Sequence, residues 1–256
     1  MSVSVFPIKA FNDNYIWCLG NQTHCAVVDP GDAGPVLAYC QDNKLTLSAI
    51  LITHHHWDHT GGIDALLAAF PNIPVYGPQN KDIKQITTRL SEGDHIELSK
   101  LDVKFSVLEV PGHTLDHIAY YGDTGLFCGD TLFSVGCGRL FEGTPQQMLQ
   151  SLAKLTALPA DTVVYCTHEY TLANIAFAEV VEPNNQALID YKQWAKQQRK
   201  KNIPTLPSSI NRELAVNPFL RCFSPELMTN VSQNMGTSLT SEQAIFASLR
   251  SWKDNF

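Results

Sequence analysis

The segment from residue 53 to residue 59 constrains the fold of this chain more than any other, because it reads Thr-His-His-His-Trp-Asp-His. Four imidazoles and a carboxylate follow an apolar run at 48–52 and precede the pair Gly61-Gly62. A polar cluster between a predicted strand and a predicted helix is typical of the sheet edge where ligands bind. We therefore expect this segment to line a pocket.

The spacing within this segment indicates metal binding. Side chains alternate in direction along an extended strand end, so His54 and His56 point to one side and His55 to the other. Asp58 and His59, in the following turn, can face the same hollow. A structural zinc takes four ligands in a closed site and a catalytic zinc usually three from the protein, so this segment alone offers too many donors for one ion. The motif predicts two metal ions; an expression tag, the alternative, would be terminal and would lack the aspartate.

Three later segments share one design, an apolar run that ends in a histidine or an aspartate beside glycine or another polar residue. They supply His113, Asp130 and His168. Since strand ends at one edge of a sheet can converge in space, the recurrence predicts that these side chains join the same pocket. Turn geometry alone would also explain the glycines at 112 and 129.

Composition and charge limit the possible functions. With 256 residues, 44% of them hydrophobic and 17% charged, the chain can bury a substantial core, and no apolar run is long enough to predict a membrane span. The first residues lack a basic leader and an apolar segment, so no secretory signal is predicted. Seven cysteines, an odd number without a Cys-x-x-Cys pair, fit a reducing compartment. These features predict a cytoplasmic protein.

The distribution of charge differs between the two parts of the chain. Residues 1–170 contain nine basic and 18 acidic residues, whereas residues 171–256 contain nine basic and seven acidic residues. The net charge of −7 argues against a general nucleic-acid binder. The basic part could supply an anion clamp, although ordinary surface variation explains it equally well.

Predicted elements divide the chain near residue 170. Short β-rich runs alternate with turns and helical stretches before that point, and only helical stretches follow it. The predicted strands are 3–8, 15–19, 26–29, 49–53, 103–110, 117–121, 126–129 and 162–166. The predicted helices are 35–41, 63–70, 145–155, 171–181, 185–201 and 240–253. The pattern predicts an α+β fold with sheets sandwiched by helices in residues 1–170 and a helical domain in residues 171–256.

The motifs resemble those of the metallo-β-lactamase superfamily. The segments that carry this likeness are Thr53–Gly62, Pro111–Thr114, Gly129–Phe133, Gly136–Arg139 and Cys166–Thr171. Within the superfamily, the segment 136–142, the triplet at 168–170 and the helical tail resemble the hydroxyacylglutathione hydrolases, or glyoxalase II. The likeness extends from Asn12 to Asp254. It implies a metallo-β-lactamase-like αββα sandwich with a C-terminal helical domain.

The resemblance also assigns a dinuclear metal centre. It implies that the first metal is bound by His54, His56 and His113, the second by Asp58, His59 and His168, and that Asp130 bridges both. Asp58 and Asp130 are thereby the expected catalytic carboxylates. Zinc is the expected metal, and the ligand types also suit iron or manganese.

Four further polar residues lie within the part of the chain that carries the resemblance. Asp29 resembles a carboxylate that orients ligands, with an Asp-Pro-Gly turn as the alternative. His55 is expected to be structural, and His117 to support the ligands or pack in the core. Asp116 stands where relatives commonly have glycine, which leaves the local turn geometry open.

The implied activity is hydrolysis of S-(2-hydroxyacyl)glutathione thioesters. An example is the conversion of S-D-lactoylglutathione to glutathione and D-lactate, the second step of methylglyoxal detoxification. Two dications less two carboxylates leave the centre at about +2, which suits a developing oxyanion. Because a zinc-bound water titrates near pH 7, a hydroxide nucleophile is expected there at neutral pH.

The resemblance assigns the glutathione part of the substrate to the later half of the chain. The implied contacts are Arg139, Phe141, Tyr170, Arg250 and Lys253. Arg250 and Lys253 would meet the glycine carboxylate, and two solvated surface charges are the competing interpretation. Relatives often carry tyrosine at 141, so Phe141 excludes a side-chain hydrogen bond from that position.

Three other activities are alternatives to thioester hydrolysis. They are a superfamily metallo-nuclease acting on RNA, a noncatalytic metal- or glutathione-binding protein, and a mononuclear iron oxygenase acting on glutathione persulfide. The acidic first 170 residues argue against the nuclease, and the second set of metal ligands argues against the oxygenase. We expect a small-molecule substrate, no nucleic-acid or membrane partner, and a monomer.

Overall fold

The computed structural model describes residues 3–256. The chain forms two compact units, one made of the residues up to Glu109 together with Asp116–Gly129, the other of Val110–Leu115 together with Asp130–Phe256. The domain boundary predicted at residue 170 stays a prediction.

The first unit contains ten strands among the described residues. Six form a mixed sheet whose neighbours follow chain order: β1 (Ser4–Ala10), β2 (Asn14–Gly20), β3 (His24–Val28), β4 (Thr46–Leu51), β5 (Val75–Pro78) and β6 (Thr88–Leu90). The strands β1–β3 pair antiparallel, and β3–β6 pair parallel. The other four pair antiparallel in chain order: β7 (His95–Leu98), β8 (Val103–Glu109), β9 (Ile118–Gly122) and β10 (Gly125–Gly129).

The helices of the first unit are α1 (Ala33–Asn43), α2 (Trp57–Thr60) and α3 (Ile63–Ala69). They connect the parallel strands: α1 joins β3 to β4, while α2 and α3 join β4 to β5. Val36 of α1 and Leu66 of α3 are buried in one apolar core with Ile50 of β4. Because α3 is fixed on this core, the histidine-rich segment is held at the end of β4, where a parallel sheet carries its functional loops.

The second unit combines short strands with six helices among the described residues. The hairpin β11 (Leu132–Phe133) and β12 (Gly136–Cys137) is followed by the antiparallel pair β13 (Val163–Cys166) and β14 (Ser208–Ser209). The helices are α4 (Pro145–Thr156), α5 (Thr171–Val181), α6 (Gln186–Lys200), α7 (Ile210–Val216), α8 (Pro225–Met235) and α9 (Glu242–Asp254), with a 3-10 turn at Pro218–Leu220. The predicted helices 171–181, 185–201 and 240–253 correspond to α5, α6 and α9.

A buried carboxylate organises the second unit. Glu213 of α7 is fully buried and accepts hydrogen bonds from the Val135 backbone N–H (2.8 Å), Asn217 Nδ2 (3.0 Å) and the Ser208 hydroxyl. Burial raises the pKa of Glu213. Asn217 Nδ2 also reaches the carbonyl oxygen of Gly136. The turn between β11 and β12 is thereby fixed to α7, which fixes the start of the segment that leads to Arg139.

The burial of the cysteines agrees with the sequence interpretation. All seven cysteines are buried thiols, as expected of small apolar residues. None of the helices in residues 3–256 has the length and apolar character needed to cross a membrane.

Candidate metal centre

The first unit brings four predicted ligands together. His54 Nε2 lies 3.1 Å from His56 Nδ1, and His59 Nε2 lies 3.6 Å from Asp58 Oδ2. The rings of His54 and His59 are 4.1 Å apart between centroids, and both residues are buried. Imidazole nitrogens and carboxylate oxygens are ligands that zinc, iron and manganese all accept. The donor set of this cluster therefore fits a transition-metal ion.

Asp29 orients the histidines of this cluster. One carboxylate oxygen accepts from the Thr53 backbone N–H (2.7 Å), and the other accepts from the Thr53 hydroxyl (2.7 Å) and lies 3.0 Å from His59 Nδ1. Since His59 Nδ1 faces Asp29, its Nε2 is directed toward Asp58. Thr53 Oγ1 also lies 3.0 Å from His54 Nδ1. These contacts agree with the orienting role that the resemblance gave Asp29, which stands at φ 54° directly after β3.

Asp58 contacts two residues that the sequence analysis did not place beside it. Asn14 of β2, a buried residue, donates through Nδ2 to Asp58 Oδ2 at 3.1 Å. Gly31 passes so close to α2 that a Cβ at this position would lie 1.8 Å from the Asp58 carbonyl oxygen. The position of Asp58 therefore depends on a close backbone contact as well as on a hydrogen bond.

His55 faces away from the cluster, as the alternation predicts. Its Nδ1 lies 2.9 Å from Asp116 Oδ1, and Asp116 Oδ2 accepts from Asn80 Nδ2 at 2.8 Å. Asp116, whose effect the sequence left open, thus pairs with His55. His117 stacks on His54 at 4.6 Å between ring centroids and is buried, so it packs against a predicted ligand.

The second unit brings the other three predicted ligands together. His113 Nε2 lies 3.4 Å and His168 Nε2 lies 3.3 Å from the same oxygen, Asp130 Oδ2. All three residues are buried. A carboxylate oxygen thus lies beside two imidazole nitrogens, and transition metals accept all three as ligand atoms. This cluster fits metal binding as well.

The two histidines of the second unit are held differently. His113 Nδ1 faces the backbone carbonyl oxygen of Arg139 at 2.8 Å, which directs its Nε2 toward Asp130. His168 is stacked on Tyr170, with ring centroids 4.7 Å apart and planes 5° apart. Phe141, which is 61% exposed, meets the His113 ring edge-on at 5.2 Å. Phe141 and Tyr170 therefore lie directly beside metal-ligand candidates.

The remaining predicted substrate residues gather around Asp254. The buried guanidinium of Arg250 donates to the Cys137 carbonyl oxygen at 2.9 Å and to Asp254 Oδ1 at 2.9 and 3.1 Å. Arg139 Nε donates to that same Asp254 oxygen at 3.2 Å. The sequence analysis missed Asp254, although it stands four residues after Arg250, directly beyond the helix predicted at 240–253, and this spacing was a usable signal.

Lys253 lies next to this group and is partly buried. Its Nζ donates to the Ala173 carbonyl oxygen at 3.3 Å and lies 5.1 Å from the centre of the Phe177 ring. Burial, and then the positive charge of Arg250, lower the pKa of Lys253 to about 8. Its charge therefore changes within the mildly alkaline range.

Two family models match consecutive parts of the chain. The model described as the metallo-beta-lactamase superfamily matches residues 12–168, and the model described as the hydroxyacylglutathione hydrolase C-terminus matches residues 169–256.

Several curated relatives are similar over nearly the whole chain. Proteins called hydroxyacylglutathione hydrolase from Nitrosomonas eutropha and Photobacterium profundum are 54% and 53% identical. The alignments cover 99% of this chain with 99% and 100% of those proteins, respectively. A third, from Vibrio parahaemolyticus, is 52% identical over 99% of this chain and 100% of its own length.

Solved structures with the same fold are more distant in sequence. The BLEG-1 B3 metallo-beta-lactamase is 25% identical, with a TM-score of 0.62, over 86% of this chain and 100% of that chain. TTHA1623, solved in a di-iron-bound form, is 25% identical with a TM-score of 0.59. The alignment covers 84% of this chain and 100% of that chain. ETHE1 from Myxococcus xanthus shares the fold, with a TM-score of 0.64. It is 24% identical, and the alignment covers 99% of this chain and 98% of that chain.

Proposed function

We propose a function from the premise that the chain belongs to the metallo-β-lactamase superfamily and, within it, to the hydroxyacylglutathione hydrolase family. The chain is a hydrolase that cleaves the thioester of S-(2-hydroxyacyl)glutathione to glutathione and a 2-hydroxy acid. The observation that carries this function is the identity of 52–54% to relatives of that name over 99% of the chain. No observation favours the nuclease or the noncatalytic alternative.

The seven side chains, four in the first unit and three in the second, are proposed to hold two divalent cations. His54, His56 and His113 would hold the first, Asp58, His59 and His168 the second, and Asp130 both. The imidazole and carboxylate donors within each unit support this assignment, as does the di-iron-bound form of a relative with the same fold. Zinc is our proposal for the metal. Bound divalent cations would acidify water and stabilise negative charge on the thioester oxygen.

The protein's own residues would fix the geometry of this reaction. Asp29 lies beside His59 Nδ1, and the Arg139 carbonyl faces His113 Nδ1, in each case the ring nitrogen opposite to the proposed ligand atom. Asn14 holds Asp58 through its carboxylate. Because a thiolate is a good leaving group, the site needs no strong general acid to protonate the sulfur.

The glutathione part is proposed to bind the aromatic and basic residues of the second unit. Arg250 and Lys253 would attract the glycine carboxylate, and Arg139 would add a third positive charge. Tyr170 offers a hydroxyl beside His168, whereas Phe141 offers only an exposed apolar face beside His113.

The function is tested by loading the purified protein with zinc and mixing it with S-D-lactoylglutathione. We expect release of free thiol and D-lactate in equal amounts. RNA cleavage without thiol release would establish the nuclease instead. Glutathione binding measured by calorimetry without any turnover would establish the noncatalytic protein.

The pH dependence of substrate binding should follow the ionisation of Lys253. Since its pKa is lowered to about 8, Lys253 is protonated below that pH and loses its charge as the pH rises through it. We expect KM for S-lactoylglutathione to rise about tenfold between pH 7 and pH 9.5, as one charge is lost from the carboxylate contact.

The matched variant is Lys253→Met, which keeps the apolar stem over Phe177 and removes the charge. Its KM should start high and should stay flat over the same pH range. A Lys253→Met profile that rises as steeply as that of the wild type would show that another group is responsible.

Domain organisation and cellular setting remain proposals as well. The two family models meet between residues 168 and 169, which supports a catalytic domain at 1–170 and a helical substrate-binding domain at 171–256. We propose a cytoplasmic monomer. Light scattering of the zinc-loaded protein tests the oligomeric state, and cell fractionation tests the location.

A further inference from the structure

Asp254 places a negative charge among the cations proposed to bind the substrate carboxylate. A single oxygen, Oδ1, accepts three N–H groups, one from Arg139 and two from Arg250. The side chain of Arg250 is 7% exposed and that of Asp254 is 30% exposed. Solvent, and therefore a ligand, can reach the aspartate more easily than the arginine behind it.

This arrangement lowers the positive charge of the proposed glutathione site. Arg139, Arg250 and protonated Lys253 carry three positive charges, and Asp254 neutralises one of them. An incoming carboxylate is attracted by the three cations and repelled by Asp254. Charge alone would favour a site without the aspartate, so its presence among the three cations requires a functional reason or a purely structural one.

The chemistry of the reaction supplies a functional reason. The glycine carboxylate belongs to the glutathione part, which is identical in the thioester substrate and in the glutathione product. A contact that binds the substrate and the product equally well lowers KM without lowering the barrier of the chemical step. The same contact also slows the dissociation of the product. A very strong carboxylate contact would therefore slow product release.

We infer that Asp254 is a resident counter-charge that limits the affinity of Arg139, Arg250 and Lys253 for the glycine carboxylate, so that glutathione leaves after hydrolysis. The inference rests on the proposed function for the identity of the ligand. It assigns Asp254 a role in positioning and in setting affinity, and gives it no part in the chemical step.

The test is Asp254→Asn, which keeps the size and an oxygen acceptor for Arg250 while removing the charge. In the zinc-loaded protein, we expect the Kd of glutathione and the KM of S-lactoylglutathione to fall together, by about tenfold at low salt. The differences in Kd and KM between the variant and the wild type should shrink in 0.5 M NaCl because salt screens exposed charges. The kcat should fall or stay level.

A second ligand pair isolates the glycine carboxylate. Glutathione amide and its lactoyl thioester carry an uncharged amide in place of the glycine carboxylate, so their Kd and KM should be equal in wild type and Asp254→Asn. The matched charge control is Asp190→Asn, which removes an exposed aspartate that is hydrogen bonded to Gln186 on α6. It should leave the Kd values of both thiols and the KM values of both lactoyl thioesters unchanged.

Two results would overturn the inference. Weaker glutathione binding in Asp254→Asn, and also in the smaller variant Asp254→Ser, would mean that Asp254 only orients Arg250. An equal change for glutathione and glutathione amide would mean an effect that does not depend on the glycine carboxylate. Because the Kd values require no turnover, a protein that shows the expected binding pattern but hydrolyses neither thioester would retain the inference and refute the proposed function.

Discussion

An Asp130→Ala variant should lose its bound metal and its thioester hydrolysis while keeping its fold. Asp130 Oδ2 lies 3.3–3.4 Å from the Nε2 atoms of His113 and His168, and we propose it as the ligand shared by both cations. Alanine removes the oxygen and the negative charge together. We expect kcat/KM to fall by more than about 100-fold, since that is the usual upper effect of residues that merely orient a ligand.

Elemental analysis after dialysis, combined with a free-thiol assay, checks this expectation for Asp130. The matched control is Asp123→Ala, which removes an exposed aspartate in the turn between β9 and β10. It should retain both the metal and the activity. A fully active Asp130→Ala variant with two equivalents of metal would disprove the shared-ligand role.

A Gly31→Ala variant should be strongly destabilised and should bind metal poorly. The added Cβ would lie 1.8 Å from the Asp58 carbonyl oxygen and 2.4 Å from its carbonyl carbon. Both are backbone atoms, so no side-chain rotation relieves the overlap and α2 must move. Ordinary overpacking lowers the free energy of unfolding by about 1–3 kcal/mol. We expect a loss of at least the upper end of that range, together with displacement of Asp58 and His59.

Gly34→Ala is the control for the added methyl group. Gly34 lies three residues later, inside α1, and its nearest neighbour would be Asp32 Oδ1 at 3.4 Å. Since alanine is favoured over glycine in a helix by about 1 kcal/mol, this variant should melt at or above the wild-type temperature. Equal melting temperatures and equal metal content for Gly31→Ala and wild type would contradict the close approach between Gly31 and Asp58.

The sequence was informative wherever a regular pattern carries the structure. The run before Thr53 predicted a strand that leads into the histidine cluster, and β4 ends at Leu51 just before it. Alternation separated His55 from His54 and His56, and the structure places His55 against Asp116. The motifs led to the family and the fold, both of which the comparisons confirmed.

The parts that the sequence did not reveal depend on contacts between distant residues. Asn14 and Asp58 are 44 positions apart, and Glu213 and Val135 are 78 apart. No local pattern distinguishes these polar residues from solvated ones. The strands β5, β6 and β7 were also missed. They have three or four residues, and a period-two pattern is weak over that length; β13, equally short, was predicted from its continuous apolar run. The helix α8 was missed although Pro225 and Gly236 mark its ends.

Residue 139 serves the site through two chemically separate parts. Its carbonyl oxygen faces His113, and its guanidinium faces Asp254. Every amino acid has that carbonyl, so a substitution at 139 alters the side-chain contact without removing the one that orients the histidine. Variation at 139 can therefore change the charge beside Asp254 while the backbone contact that orients His113 is conserved.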